Sequence, residues 1–128
     1  MAKREVIEIP GVTHGKAPIP MGAKIGSIVY SSAIMGKDAR TDELPEDAES
    51  QFQFLFRNIK AFMEAAGGST DQIIRMSVYL KDNSYRELFN QEWLRMFPNP
   101  HDRPARHISL ADLNRGMCAQ VEIIAVLY

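Results

Sequence analysis

One cysteine, Cys118, is all that the 128 residues contain, which excludes an intrachain disulfide and any zinc site built on cysteines. It stands inside an apolar run and reads as a small buried hydrophobe rather than a catalytic thiol. No apolar run approaches about 20 residues, so no membrane span is expected. The N-terminus, Met1-Ala2-Lys3-Arg4, leads into acidic and apolar residues rather than an apolar core, so no signal peptide is expected and the cytoplasm is the expected location. Charge of one sign is lacking too. The formal net charge is -1 with no basic run or stripe, which speaks against nucleic acid or an anionic membrane as partner. The histidines are His14, His101 and His107, and ordinary hydrogen-bonded roles are expected for them ahead of a metal site or acid–base work. What remains is 45% hydrophobic, enough for one compact domain over residues 1–128.

Periodicity orders that domain. Val6-Ile7-Glu8-Ile9 is a short strand stopped by Pro10-Gly11, and the Pro- and Gly-rich stretch to Gly22 is a loop. Gly26-Ser27 between Ala23-Lys24-Ile25 and Ile28 to Ser32 is a two-residue hairpin signal. Phe52, Leu55, Phe56, Ile59, Phe62, Met63 and Ala66 form the apolar stripe of a helix from Asp47 to Ala66, ended by Gly67-Gly68. Phe54 lies off that stripe and marks a candidate contact with a second subunit. Gln72 to Leu80 alternates as a strand. Asn83 or Ser84 caps a second helix to Met96, with Tyr85, Leu88, Phe89, Trp93 and Met96 as its stripe. Cys118 to Leu127 is the clearest strand. The predicted architecture is α+β, a two-layer sandwich whose mixed, mostly antiparallel sheet carries both helices on one face. A sheet with apolar residues on both sides needs further cover, so an oligomer is expected.

The stretch Arg103-Pro104-Ala105-Arg106-His107 carries the chemistry. Pro104 favours extended geometry before it, so Ala105 to Leu110 reads as a strand with Arg106, Ile108 and Leu110 on one side and His107 on the other. The rigid fork of Arg106 suits a carboxylate held bidentately; the alternative is a structural ion pair. Glu122, inside the last strand, is either a solvated edge carboxylate or one held by a partner. Antiparallel pairing of these two consecutive segments is expected to bring Arg106 and Glu122 near one another.

Pro104-Ala105-Arg106 followed by Val121-Glu122-Ile123 near the C-terminus resembles the Rid family, also called YjgF, best known for enamine and imine deaminases. Gly26 to Ser32 is similar to its early strand, Asn58 and Ala65-Ala66-Gly67 to its first helix, Val78-Tyr79-Leu80-Lys81-Asp82 to its middle strand, and Phe89-Asn90 with Trp93 and Phe97 to its second helix. The order and spacing together cover nearly the whole chain. The resemblance implies a chorismate-mutase-like fold of the bacterial type and a homotrimer with clefts between subunits. It also implies hydrolysis, without cofactor or metal, of reactive imine and enamine intermediates of amino-acid metabolism to the keto acid and ammonia. Arg106 would clamp the substrate carboxylate and Glu122 would position the water. Ile108, Ser32, Ala33, Ile19, Asn90 and His107 would line the cleft.

The chain also departs from the family pattern. Ala17-Pro18-Ile19 stands where the best-known members have Gly-Pro-Tyr, so an alkyl group replaces a phenol. His107-Ile108 replaces a frequent Ser-Cys, although a backbone carbonyl at Ile108 can still hold a water, and Ala33 replaces a frequent Gly. These changes bear on the substrate more than on the reaction class. They also keep open a non-catalytic member that binds a small carboxylate and regulates. A ribonuclease role is disfavoured by the near-neutral charge and the lack of interleaved basic and aromatic residues.

Overall fold

The alternation along the strands decides which residues lie under the helices. The computed structural model describes residues 3–114 and 116–128. The chain runs β1 (Glu5–Ile7), β2 (Gly22–Ile25), β3 (Ile28–Ser31), β4 (Ile34–Met35), α1 (Ala48–Ala65), β5 (Ile73–Leu80), α2 (Arg86–Met96), β6 (Ala105–Leu110) and β7 (Ala119–Val126). The sheet order is β1-β2-β3-β7-β5-β6, with β4 pairing with β7 beyond the end of β3. All of these pairings are antiparallel except β5 with β6. A parallel pair needs a crossover, and α2 provides it.

Met76, Val78 and Leu80 of β5, with Val121, Ile123 and Ala125 of β7, are buried and pack in one core with the stripe of α1. Asp47 caps α1 by accepting from the Ser50 backbone N–H at 2.9 Å. At the other end Gly67 has φ 88°, the Gly68 N–H donates to Met63 O and the Gly67 N–H to Glu64 O. That is a Schellman ending, which the predicted glycine pair supplies. The second helix starts differently from expectation. The Asp82 carboxylate, not Asn83 or Ser84, accepts from the Ser84 N–H at 2.8 Å, and Asn83–Tyr85 forms a 3₁₀ turn before α2. An ionised carboxylate is the stronger acceptor at that position.

Two expectations are corrected. Read as the all-helical chorismate-mutase bundle, the chorismate-mutase-like label is overturned by a seven-stranded sheet and only two α-helices among the described residues. The α+β sandwich itself holds. Consecutive β6 and β7 do not pair: β5 lies between them, parallel to β6 and antiparallel to β7. β6 and β7 therefore do not form a hairpin. The sheet face away from the core remains apolar in part, with Val6, Ile25, Ile28 and Tyr30 all at least half exposed.

Candidate active site

β5 separates the predicted site residues into two groups. Arg106 pairs with Met76, whose side chain is buried in the core, so alternation puts the guanidinium on the helix side of the sheet. There its Nη1 donates to Asn90 Oδ1 at 2.8 Å. Its Cζ lies 4.7 Å from the Trp93 ring centroid and 5.5 Å from that of Phe89. The rings are themselves held: Trp93 packs against Phe97 at 4.8 Å, and Phe89 against Phe56 at 5.1 Å. Phe89 and Trp93 are one helical turn apart on α2, as are Arg86 and Asn90, and Phe89, Trp93 and Asn90 surround the guanidinium. Burial, followed by the nearby charges of Arg86 and Arg103, holds the Arg106 pKa below the ordinary guanidinium value. Among the described residues it forms no ion pair. Ile108, two residues on, lies on the same side of β6 and is half-buried.

Glu122 belongs to the second group. It pairs with Ser77, as His107 does from the other side, so the three residues stand in one rank across β7, β5 and β6 on the face away from the helices. Both His107 and Glu122 are exposed. The expectation that His107 points opposite to Arg106 holds, whereas the expected approach of Arg106 to Glu122 within one chain is corrected. They lie on opposite faces, with backbones about 10 Å apart across β5.

Ser32 and Ala33 sit in the step between β3, which pairs with β7 at Tyr30↔Ile124, and β4, which pairs with it at Ile34↔Val121. That step runs alongside Glu122 and Ile123, and the Ile123 N–H donates to Ser31 Oγ at 2.8 Å. The Ser32 hydroxyl donates to Pro20 O and its N–H to Met21 O, both at 2.8 Å, which ties the preceding loop to the step. Ile19 projects from that loop, half exposed. His14 Nε2 donates to Ala33 O at 2.7 Å, and its buried Nδ1 has no partner among the described residues. His14 is thus a loop-positioning residue. Glu122, His107, Ser32, Ala33 and, on the loop tied to that step, Ile19 form one group; Arg106, Asn90 and Ile108 form the other.

Sequence reading missed the aromatic floor and Arg86. The apolar stripe marks Phe89 and Trp93 as core, and their i, i+4 spacing interleaved with Arg86 and Asn90 is the signal that also makes them a floor for Arg106. A cavity of about 520 Å³, lined among others by Ile74, Met96, Phe97, Arg103 and Tyr128, opens beside this region and includes neither Arg106 nor Glu122. Among the described residues no three His, Cys, Asp or Glu side chains gather as a metal site would require. None of the described helices is long and apolar enough to cross a membrane.

Comparison with known proteins places this geometry. The family model described as Endoribonuclease L-PSP matches residues 17–127. A RutC family protein of Saccharolobus solfataricus is 34% identical over 124 residues, covering 95% of this chain and 97% of that protein. The 2-iminobutanoate/2-iminopropanoate deaminase of Dermatophagoides farinae is 24% identical over 129 residues, 99% of each. The crystal structure of RidA from Psychrobacter sp. PAMC 21119 superposes with a TM-score of 0.86 at 31% identity, over 96% of this chain and 99% of that one. With the family model spanning most of its length, the chain belongs to the Rid (YjgF) family.

Proposed function

We propose that this protein is an imine and enamine deaminase, which hydrolyses reactive intermediates of amino-acid chemistry to the 2-oxo acid and ammonia. The observation that carries the reading is Arg106: a half-buried guanidinium on an aromatic floor, with one amide partner and no acid among the described residues. A buried cation without a counter-ion is costly, and a substrate carboxylate relieves that cost while gaining a fixed orientation. The relative from Dermatophagoides farinae, named for this reaction, supports it.

In this reading Arg106 clamps the carboxylate next to the C=N carbon, and Asn90 keeps the fork in plane. Glu122 accepts a proton as water adds to that carbon. The carbinolamine nitrogen takes up a proton, the C–N bond breaks and ammonia leaves, so the balance needs water alone. Ile108 offers a backbone carbonyl to the water, and Ser32, Ala33, Ile19 and His107 border the cleft. Since Arg106 and Glu122 occupy opposite faces of one sheet, the cleft forms between subunits, with Arg106 from one and Glu122 from the next. The apolar face of Val6, Ile25, Ile28 and Tyr30 provides the contact surface, and the family resemblance favours a homotrimer. A cytoplasmic location accords with the single unpaired cysteine.

A second reading, a non-catalytic protein that binds a small carboxylate, draws on Ile19, an alkyl group at the cleft border. One experiment separates the two. Imino acids are generated in situ by an amino-acid oxidase from small to aromatic amino acids, and their decay is followed with wild type and Arg106→Ala. Faster decay with wild type alone supports the deaminase. Stabilisation by carboxylates through Arg106 with no acceleration of any imine supports the binding protein.

A further inference from the structure

Arg106 lies within electrostatic reach of two further arginines, Arg86 at the start of α2 and Arg103 just before β6, and the proposed reaction uses only Arg106. Arg86 lies one helical turn before Asn90 on α2, so its side chain leaves the helix face that meets Arg106. Its Nε donates to Asn83 Oδ1 at 3.1 Å, and among the described residues the rest of its fork has neither a hydrogen bond nor an ion pair. Arg103 is anchored through Nε to Phe97 O at 2.9 Å, and the Phe97 ring packs on Trp93, the platform of Arg106. The acids adjacent in sequence, Glu87 and Asp102, form no ion pair with either arginine. Both charges are close enough to depress the Arg106 pKa further after burial has done so. None of the three arginines forms an ion pair among the described residues, so their guanidinium groups are left to attract anionic groups of a ligand.

We infer that the cleft selects substrates with a second anionic group, Arg106 taking the carboxylate beside the C=N carbon and Arg86 the anionic end of the side chain. Arg103 adds to the field without leaving its anchor. The substrate class is the imines of acidic amino acids, 2-imino dicarboxylates, with 2-oxo dicarboxylates as products. This inference rests on the assignment of Arg106 as the carboxylate clamp, so its test measures binding as well as turnover.

Calorimetry with 2-oxoglutarate and 2-oxopentanoate compares two five-carbon 2-oxo acids that differ in the terminal carboxylate. Wild type is expected to bind the dicarboxylate about tenfold tighter or more, as a charge-assisted hydrogen bond provides. Arg86→Gln brings the ratio to within about twofold, and raising NaCl from about 0.05 to about 0.5 M narrows it in wild type. The ratio of imine decay rates for an acidic and a neutral amino acid follows the same pattern. Melting curves check that Arg86→Gln and Arg86→Gln/Arg103→Gln remain folded, as exposed positions allow. Equal affinities in wild type, or a preference that survives the double variant, overturn the inference while leaving the clamp standing. Failure of Arg106→Ala to weaken either ligand overturns the clamp itself, and the inference with it.

Discussion

Arg106 and Glu122 stand on opposite faces of one sheet with β5 between them, the first level with Met76 and the second with Ser77. No side-chain rotation brings both onto one small substrate within a chain. A site that uses both must take them from different subunits, and that makes complementation the test. Arg106→Ala and Glu122→Gln are each expected to be inactive alone. Mixed at equal amounts and reassembled at random, they should recover about a quarter of wild-type activity, because that share of interfaces pairs an intact Arg106 with an intact Glu122. Mixtures no more active than the parents would show that the two residues do not share a cleft between subunits.

Charge at position 106 is not sufficient for the proposed role. The guanidinium is placed by three contacts: Nη1 on Asn90, and its flat face near Trp93 and Phe89. A lysine ammonium keeps the charge but has neither the fork nor the planar face. Arg106→Lys is therefore expected to lose about 100-fold or more in kcat/KM, with a melting temperature close to wild type. Retention of most activity in the lysine variant would reduce Arg106 to a general attractor of anions.

Trp93 is expected to act through Arg106 rather than on substrate. Its ring lies 4.7 Å beneath the guanidinium carbon, and the residue is 7% exposed. Trp93→Phe keeps an aromatic face, whereas Trp93→Leu keeps apolar bulk without one. The leucine variant should raise KM by about tenfold, since a partly desolvated cation–π contact is worth roughly 1–2 kcal/mol, and the phenylalanine variant should recover most of that. A purely structural role would lower the melting temperature in both variants and leave KM unchanged in each.

Most of the fold was legible because its periodicities are unambiguous. The α1 stripe from Phe52 to Met63 and the alternation of β5 and β7 are strong local signals, and the Gly67-Gly68 ending was readable from two adjacent glycines. The pairing of β6 was not legible. Alternation assigns faces within a strand, but neighbours are decided by packing, and the insertion of β5 between β6 and β7 follows from α2 crossing over the sheet. The same gap affected the site: Arg106 and Glu122 were identifiable as residue types, while their separation onto opposite faces depended on that register. Trp93 was read correctly as core but not as the platform of Arg106, because a stripe does not reveal what lies across from it. Sequence spacing alone could not show which residue of the Asp82-Asn83-Ser84 cluster turns its side chain onto the helix start.

The cap of α1 makes a prediction about acid. The Asp47 carboxylate is held below its ordinary value of 3.8 by hydrogen bonds from the side chain and then the backbone of Ser50. A carboxyl whose pKa is lower in the folded state stabilises the fold above the unfolded value, and that contribution is lost as pH falls through the folded value. Its share is therefore complete at neutral pH, begins to fall as the pH approaches the ordinary value of 3.8 and is gone only below the lower folded value. Asp47→Asn preserves the cap geometry, since asparagine is as good a cap, but removes the titration. The drop in melting temperature between pH 7 and strong acid should be smaller in Asp47→Asn than in wild type. Asp47→Ala, which loses the cap outright, should melt a few degrees lower at neutral pH. Asp38 and Asp82 carry depressed values of the same kind, from Arg40 and Ser84 respectively, so part of the acid sensitivity must persist in either Asp47 variant. Melting profiles for Asp47→Asn and wild type that coincide from neutral to acid pH would mean that the cap contributes through geometry alone.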